Sequence, residues 1–397
     1  MPQLAKRLDT IDEPQTIAMA KLSRELAAKG HDVISLSLGE PDFDTPAHIV
    51  EAAKKALDDH FTFYTPVAGI PELRQAICDK FQRENQLSFN PNQVVVSTGA
   101  KQAIINAVMA IVNKGDEVII PTPYWVSYSG MVRLMEGIPV FIKSTVEQDY
   151  KINAQSLEAA ITPKTTAFMF SSPCNPTGSV YSKKEMEELA SVFLKHPEIF
   201  IISDEIYEHI NYTGAHFSIA QIPELKDRVV VVNGFSKSYA MTGWRVGYIG
   251  ASVEIAVACE KLQGQFTSGS NSIAQRAAVV ALNSEQSSTQ KMKEAYRRRK
   301  DLVFEALRGM EGIKCNHPEG AFYAFPDVSY FFGKSGSGKV IQNATDLCMY
   351  ILHDVFVSMV TGDAFGAPEC IRISFATSDE KIKEALKRVK ESLSRLK

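Results

Sequence analysis

The chain has 397 residues, of which 45% are hydrophobic, and a formal net charge of −3 at pH 7. A chain of this length exceeds what one simple hydrophobic core normally holds, so two domains are expected. The nearly balanced charge lacks the basic excess of nucleic-acid and anionic-membrane binders, and no stretch approaches the roughly 20 apolar residues of a membrane span. These features argue against nucleic-acid and membrane partners and favour small-molecule partners.

The six cysteines are scattered without a C-x-x-C pair, so the sequence predicts neither a metal site nor a disulfide framework. Residues 1–12 carry charges and lack the apolar core of a cleaved secretory signal. Both features favour a cytoplasmic location.

In chain order, the first predicted elements are a helix over 16–28 and a short strand over 33–36. From about residue 48 to residue 290, β-rich runs alternate with helical patterns such as 184–194. The predicted strands of this region are 94–97, 117–120, 140–143, 167–171, 200–203 and 228–232. Strands that alternate with helices predict a largely parallel, doubly wound α/β sheet.

The remaining residues have a looser α+β pattern that starts with a long helical stretch. Its predicted elements are helices over 291–310, 344–354 and 381–396 and strands over 321–325 and 371–375. The first 47 residues are too few to fold alone. We therefore expect a large α/β domain of residues 48–295 and a smaller, discontinuous α+β domain of residues 1–47 and 296–397.

Residues 333–340 nearly match the G-x-x-x-x-G-K-[ST] signature of a phosphate-binding P-loop. Val340 stands where that signature has a magnesium-binding hydroxyl, and the segment lies outside the predicted strand–helix array. The sequence therefore favours a mobile surface loop here.

Polar residues follow three successive strands of the predicted sheet, at intervals of about 30 residues, which is the length of one βαβ unit. They are Asn175, Asp204 and Lys237. Because the carboxyl ends of parallel strands meet at one edge of a sheet, these side chains are expected to converge on a site. Taken alone, each has an ordinary alternative, since Lys237 would be a solvated loop lysine and the others turn or capping residues.

Further residues near these strand ends suit an anionic, flat ligand. Gly99, Ala100 and Lys101 open a helix whose free N–H groups favour an anion, and Arg245 can bind a phosphate with two parallel hydrogen bonds. Trp125 could stack on a ring, although a plain core aromatic is the alternative.

Together these features describe a pocket for a phosphorylated pyridine aldehyde. They are an anion site, a stacking aromatic, a carboxylate, a phenol with an amide, and a lysine. The lysine would hold the aldehyde as a Schiff base, and the Asp204 carboxylate would keep the pyridine nitrogen protonated. Asn175 and Tyr207 could hydrogen-bond the ring oxygen. Once freed by the substrate, the lysine would act as a base at the substrate's α-proton.

Four segments in this order resemble the class I aminotransferases, which are pyridoxal phosphate enzymes of fold type I. They are 38–46, 175–178, 203–207 and 237–245, and they are most similar to the bacterial aspartate aminotransferase branch, subgroup Ib. The resemblance runs over nearly the whole chain. It implies a large domain with a mostly parallel seven-stranded sheet, a smaller α+β domain, and pyridoxal 5′-phosphate as cofactor.

The resemblance also implies residue roles. The family's catalytic residues are matched by Lys237, Asp204 and Tyr207. Trp125 matches the stacking aromatic, and Asn175 matches a residue that contacts the ring oxygen. Phosphate would be held by the residues that match the family's phosphate site, which are Gly99, Ala100, Lys101, Arg245, Ser236 and Tyr64. Many relatives have a phosphate-binding serine three positions before the lysine, but Gly234 stands there in this sequence and Ser236 directly precedes Lys237, so the resemblance leaves the role of Ser236 open.

Substrate residues follow from the same resemblance. Arg372 matches the arginine that grips the substrate α-carboxylate, and Gly39 lets the backbone approach that group. Trp125 and Asn175 also border the substrate, and Lys101 with Thr16 matches the site for a distal carboxylate. Tyr64 matches a tyrosine that reaches the neighbouring subunit's phosphate, which implies a homodimer with shared active sites.

The expected reaction is transfer of an amino group from an L-amino acid, aspartate above all, to 2-oxoglutarate by a ping-pong Schiff-base mechanism. The alternatives on the same scaffold are an aromatic, prephenate or alanine aminotransferase and a β-lyase. A pyridoxal phosphate-sensing regulator is a different class, but such regulators carry a DNA-binding domain for which this sequence shows no pattern.

Overall fold

A computed structural model describes residues 4–11 and 15–397. Its α-helices, in chain order, are α1 (Gln15–Ala28), α2 (Ala47–Asp58), α3 (Pro71–Asn85), α4 (Ala100–Ile111), α5 (Ser127–Leu134), α6 (Ala154–Ala160), α7 (Lys183–Phe193), α8 (Val253–Phe266), α9 (Ser272–Asn283), α10 (Ser287–Arg308), α11 (Ala344–Val355) and α12 (Asp379–Leu393). Its strands are β1 (Ile34–Ser35), β2 (Val94–Ser97), β3 (Glu117–Thr122), β4 (Ile138–Lys143), β5 (Thr165–Ser171), β6 (Phe200–Asp204), β7 (Val229–Gly234), β8 (Gly247–Gly250), β9 (Tyr323–Ala324), β10 (Ser335–Gly336), β11 (Lys339–Val340), β12 (Val357–Ser358), β13 (Val360–Thr361) and β14 (Ile371–Ser374).

Seven strands form the central sheet in the order β2-β8-β7-β6-β5-β3-β4. β8 runs antiparallel to both of its neighbours, and the other pairs are parallel. The predicted seven-stranded, mostly parallel α/β sheet is thereby confirmed.

Both faces of this sheet are buried, which explains why its strands are nearly continuous apolar runs. In β7, Val229 and Val231 belong to one hydrophobic cluster, whereas Val230 and Val232 belong to the cluster on the other face. Consecutive side chains of a strand point to opposite faces, so one run of valines fills two cores.

β8 is the strand of the central sheet that sequence patterns did not predict. It is four residues long and both of its ends are glycine, and glycine is depleted in strands. Packing requires both glycines, because a Cβ on Gly250 would lie 2.8 Å from the Phe81 ring and one on Gly247 would lie 2.2 Å from the Ala100 nitrogen. Because it runs antiparallel to β7, β8 begins at the edge where β6 and β7 end.

A separate hydrophobic cluster joins β1 to α10, α11 and α12, and includes Leu36, Val303, Leu347 and Leu386. On this basis we propose the domain boundaries expected from the sequence, 48–295 for the large domain and 1–47 with 296–397 for the small one. α10 crosses the proposed boundary, so one continuous helix connects the two.

Two expectations need correction in detail. Residues 333–339 do not form a plain loop, because β10 and β11 pair as a short antiparallel hairpin. The strand predicted over 321–325 is reduced to β9, since Ala321 adopts a φ of 54° that interrupts extended structure. In the part of the chain that the structure describes, no helix combines the length and apolar character needed to cross a membrane.

Candidate active site

The carboxyl ends of three parallel strands meet at one edge of the sheet. Ser171, the last residue of β5, is paired with Asp204, the last residue of β6, and Asp204 is paired with Val232 of β7. At the same edge, Gly247 at the start of β8 pairs with both Ser97 and Gly234. The chain segments at this edge therefore lie close together. They are the segments that follow β2, β5, β6 and β7 and the segment that precedes β8.

A cavity of about 470 Å³ opens at this edge. Most of the site residues predicted from the sequence line it: Gly39, Ala100, Lys101, Trp125, Asn175, Asp204, Tyr207, Ser236, Lys237, Arg245 and Arg372. The structure thus brings together residues that are more than 300 positions apart in the chain.

Lys237 is held at the centre of several charged groups. Its Nζ donates a hydrogen bond of 2.5 Å to the Gly39 carbonyl oxygen and lies 5.9 Å from the centre of the Tyr207 ring. Burial, with smaller contributions from Arg372 and Arg245, lowers the pKa of Lys237 to about 8, and Glu40 and Asp204 act against this shift. An amine with this pKa is partly unprotonated near neutral pH, as a nucleophile or base must be.

Asp204 is buried, and burial raises the pKa of its carboxyl to about 6. Its Oδ2 accepts a hydrogen bond of 2.7 Å from the Tyr128 hydroxyl, and its Oδ1 accepts one of 3.2 Å from the Ile206 N–H. These neutral donors hold the carboxylate in place, but they do not offset its charge as a contacting cation would.

Arg372 reaches the cavity from β14. Its two terminal nitrogens donate to Asn175 Oδ1 at 3.0 Å and to the Ser37 carbonyl oxygen at 2.7 Å. Its buried Nε has no hydrogen-bond partner within the described residues. The guanidinium carbon lies 4.6 Å from the centre of the Tyr323 ring, and the Tyr323 hydroxyl is 2.8 Å from that of Tyr207.

The N-terminus of α4 lies at the same edge, where its free N–H groups suit an anion. Gly99 is its N-cap with a φ of 81°, and a Cβ there would lie 2.2 Å from an Arg245 nitrogen. The next N–H groups, those of Ala100 and Lys101, have no carbonyl one turn earlier in the helix to accept from them. Arg245 is fixed beside them by a hydrogen bond of 2.9 Å to the Thr242 carbonyl oxygen.

Lys101 extends from α4 over the face of Trp125, with its Nζ 4.9 Å from the ring centre. Burial lowers its pKa, and the nearby Arg245 contributes to the same shift. Lys101 forms no ion pair with any residue that the structure describes. Its charge is therefore available to a ligand.

Comparison with known proteins agrees with this geometry. The family model for aminotransferases of class I and II matches residues 31–389. The chain belongs to that family. It is 47% identical over 396 residues to an aspartate/prephenate aminotransferase from Nitrosomonas europaea, covering 99% of this chain and 100% of that one.

Solved structures give the same result. The aspartate aminotransferase from Rhizobium meliloti has a TM-score of 0.97 and 44% identity, with 100% of both chains covered. The aspartate aminotransferase from Thermus thermophilus with maleate has a TM-score of 0.93 and 39% identity, covering 99% of this chain and 100% of that one. The protein is thus an aminotransferase of fold type I.

Two predicted residues lie apart from the cavity lining of this aminotransferase, and the side chain of a third is not described. Gly99 lies against Arg245, since a Cβ on Gly99 would be 2.2 Å from an Arg245 nitrogen. Tyr64 is 97% exposed and does not line the cavity formed by its own chain. Thr16 falls in α1, but its side chain is outside the described residues.

Sequence reasoning missed several residues of the cavity, of which Tyr128 and Tyr323 make the most informative contacts. Others are Arg24, Ser37, Glu40, Ser171 and Thr242. Tyr128 stands three positions after Trp125, and this helical spacing could have indicated a shared face. Tyr323 lies inside a predicted strand, where an aromatic residue is assigned to the core by default.

Proposed function

We propose that this aminotransferase uses pyridoxal 5′-phosphate and moves an amino group from aspartate to 2-oxoglutarate. The observation that carries the proposal is the position of Lys237, a partly buried amine that faces the same cavity as the buried Asp204 and Arg372. Each of the three has a charge that is only partly compensated, and each matches one part of the cofactor–substrate pair.

The residues of the cavity fit the cofactor. Arg245 and the N–H groups that open α4 suit its phosphate, and the buried Asp204 carboxylate suits a protonated ring nitrogen. Asn175 and Tyr207 would contact the ring oxygen, and Trp125 would lie against the ring. When bound, pyridoxal phosphate supplies an electron sink for the charge that develops at the substrate Cα.

The protein's own groups perform the remaining work. Lys237 Nζ would bind the cofactor and then remove the proton from the substrate Cα, for which a pKa of about 8 is suitable. Arg372 would bind the substrate α-carboxylate through its partly unsatisfied guanidinium, and the Gly39 backbone would approach the same group. A Cβ at position 39 would lie 2.4 Å from the Tyr323 hydroxyl, so a side chain there would disturb this wall.

The unpaired Lys101 supports a dicarboxylic substrate. Its partly desolvated ammonium would form a charge-assisted contact with the distal carboxylate, with Thr16 as a second contact. Prephenate, which carries a second carboxylate on its ring, is the second candidate, because relatives such as the Nitrosomonas europaea protein are named for both substrates.

We also propose a cytoplasmic homodimer with shared active sites. Phe63 and Tyr64 are 81% and 97% exposed, and adjacent exposed aromatic side chains favour a protein–protein contact. Tyr64 would then reach the partner's phosphate site. The six cysteines are free, which supports a reducing compartment.

The variant Lys237→Ala tests the proposal. Turnover of aspartate and 2-oxoglutarate should fall by at least about a thousandfold, because the cofactor link and the base are lost together. Lys300→Ala is the matched control, since Lys300 is 7% exposed and lies outside the cavity. Undiminished turnover in Lys237→Ala would refute the proposed role, whereas an equal loss in both variants would assign the effect to folding.

A further inference from the structure

A group of polar side chains, all buried except the half-buried His209, lies outside the cavity but is connected to residues that line it. We call this group the Lys80 network. Its members are Lys80, Asn85, Glu208, His209, Asn233 and Ser238.

Glu208 is the acceptor at the centre of the network. Its carboxylate accepts from the Lys80 ammonium, from Asn85 Nδ2 at 2.7 Å and from Asn233 Nδ2 at 2.6 Å. Burial alone would raise the pKa of the Glu208 carboxyl, but Lys80, aided by His209 and other cations, holds it well below its usual range. Glu208 is therefore ionised and fully partnered although it is buried.

His209 connects this centre to the segment that carries Lys237. Its Nδ1 lies 2.9 Å from Ser238 Oγ and its Nε2 lies 2.8 Å from a Glu84 carboxylate oxygen. That carboxylate is in turn 3.6 Å from Lys80 Nζ. The His209 imidazole thus bridges the Glu84 carboxylate and the Ser238 hydroxyl.

The network is joined directly to the cavity residues by the backbone. Glu208 follows Tyr207, and Ser238 follows Lys237. Asn233 accepts a hydrogen bond of 2.7 Å from the Gly234 N–H, which begins the segment leading to Lys237. The peptide bond fixes the distance between consecutive Cα atoms at about 3.8 Å, so anchoring one residue restricts the position of its neighbour.

The ionic character of this group needs an explanation other than stability. A buried ion pair typically contributes no more to stability than apolar residues of the same volume would, because desolvation offsets the attraction. Hydrogen bonds to charged groups are directional, however, and fix geometry more tightly than apolar contacts do. A buried ionic anchor next to reactive side chains is therefore suited to positioning.

We propose that the Lys80 network positions the cavity residues, and that Ser238 and His209 are positioning residues for Lys237. Ser238 holds the segment after Lys237 against the imidazole, and His209 transmits the constraint from Glu84 and the ionised centre. This inference rests on the proposed role of Lys237 and adds residues that support it without touching the substrate.

The test measures Lys237 itself. In the full-length chain freed of cofactor, competitive labelling of lysines followed by peptide mass spectrometry gives the pKa of Lys237 from the pH dependence of its reaction. Four groups, Glu40, Asp204, Arg245 and Arg372, face Lys237 and stay unchanged in the variants. In Ser238→Ala, a less restricted and more hydrated Lys237 should have a pKa about 0.5–1 unit closer to its ordinary value.

Turnover in the cofactor-loaded enzyme gives a second readout. We expect Ser238→Ala to lower kcat about tenfold and to change KM for aspartate less than about twofold, because positioning acts on the reacting geometry. Ser392→Ala is the control, since it removes a buried hydroxyl that donates to Asp354 at 2.6 Å, and neither residue lines the cavity. It should leave both the Lys237 pKa and kcat unchanged.

A double-mutant cycle completes the test. If the hydroxyl and the imidazole act together, His209→Ala and Ser238→Ala should shift the Lys237 pKa by amounts that do not add in the double variant. An unchanged Lys237 pKa in Ser238→Ala, or strictly additive shifts, would overturn the proposal even if stability fell. Because labelling does not depend on turnover, this outcome is distinct from failure of the proposed function, which Lys237→Ala tests.

Discussion

The cavity and the Lys80 network both bury charged side chains at the same end of the sheet, but they differ in how those charges are partnered. In the network, Glu208 accepts three hydrogen bonds, one of them from the Lys80 ammonium. In the cavity, within the part of the chain that the structure describes, Asp204 accepts only from neutral donors and Arg372 Nε has no hydrogen-bond partner.

The pKa shifts express the same difference. Lysine and the nearby histidines hold the pKa of Glu208 down, whereas burial raises that of Asp204 to about 6. A buried charge that is satisfied within the protein stabilises a particular geometry, and one that is left unsatisfied is available to a ligand. Substitutions of the cavity charges should therefore lower activity more than stability, and substitutions of the charged network residues should lower stability.

The largest expected effect is on activity, in Asp204→Asn. We expect kcat to fall about 10²–10⁴-fold, because a neutral amide cannot keep the ring nitrogen protonated. The melting temperature of the cofactor-free protein should not fall, since the substitution removes an uncompensated buried charge. Steady-state kinetics and thermal unfolding measure the two quantities, and a large loss of stability with near-normal kcat would place Asp204 with the structural charges instead.

The pH dependence of stability gives a control on the same variant. The folded Asp204 binds its proton more tightly than the unfolded chain does, so the cofactor-free protein should lose stability as the pH rises from about 4 to about 6. Comparing the denaturant-unfolding free energies of wild type and Asp204→Asn isolates this contribution. If the difference between them is independent of pH over this interval, the pKa of Asp204 is not raised.

The next effect is on stability, in Lys80→Met. Removing the ammonium leaves Glu208 buried without its cation, so the free energy of unfolding should decrease by about 3–5 kcal/mol. Lys55→Met is the control, because Lys55 pairs with Asp59 on a surface where its side chain is 75% exposed. That change should cost less than about 1 kcal/mol. Equal losses in urea unfolding would contradict a special role for the buried pair.

The smallest effect concerns substrate choice, in Lys101→Ala. We expect kcat/KM to fall about tenfold or more with aspartate and by less than about twofold with alanine, which has no distal carboxylate. Prephenate should follow aspartate if its ring carboxylate binds at the same place. Equal losses with aspartate and alanine would remove Lys101 from substrate recognition.

The sequence predicted the sheet and the cavity well because both depend on local signals. Apolar runs mark β5, β6 and β7, and polar residues directly follow them at Asn175 and Lys237. Parallel topology then brings those residues together without any knowledge of the packing. The cavity could therefore be predicted from the sequence alone.

The Lys80 network could not be predicted, because its contacts join residues that are far apart in the sequence and of ordinary type. Lys80 and Glu208 are 128 positions apart, and each alone is read as a surface residue of a helix or a turn. β8 was missed for a different reason, since two glycines in a four-residue strand read as a turn. Only the packing of Gly247 against α4 explains why glycine is needed there.

The central claim is that Lys237 is the residue that binds the cofactor. The direct measurement is to incubate the full-length protein with pyridoxal 5′-phosphate, reduce the link with borohydride, digest the protein and locate the added mass. We predict that the cofactor is attached to the peptide that contains Lys237. Attachment to another lysine of the cavity, Lys101, or to none, would contradict the account.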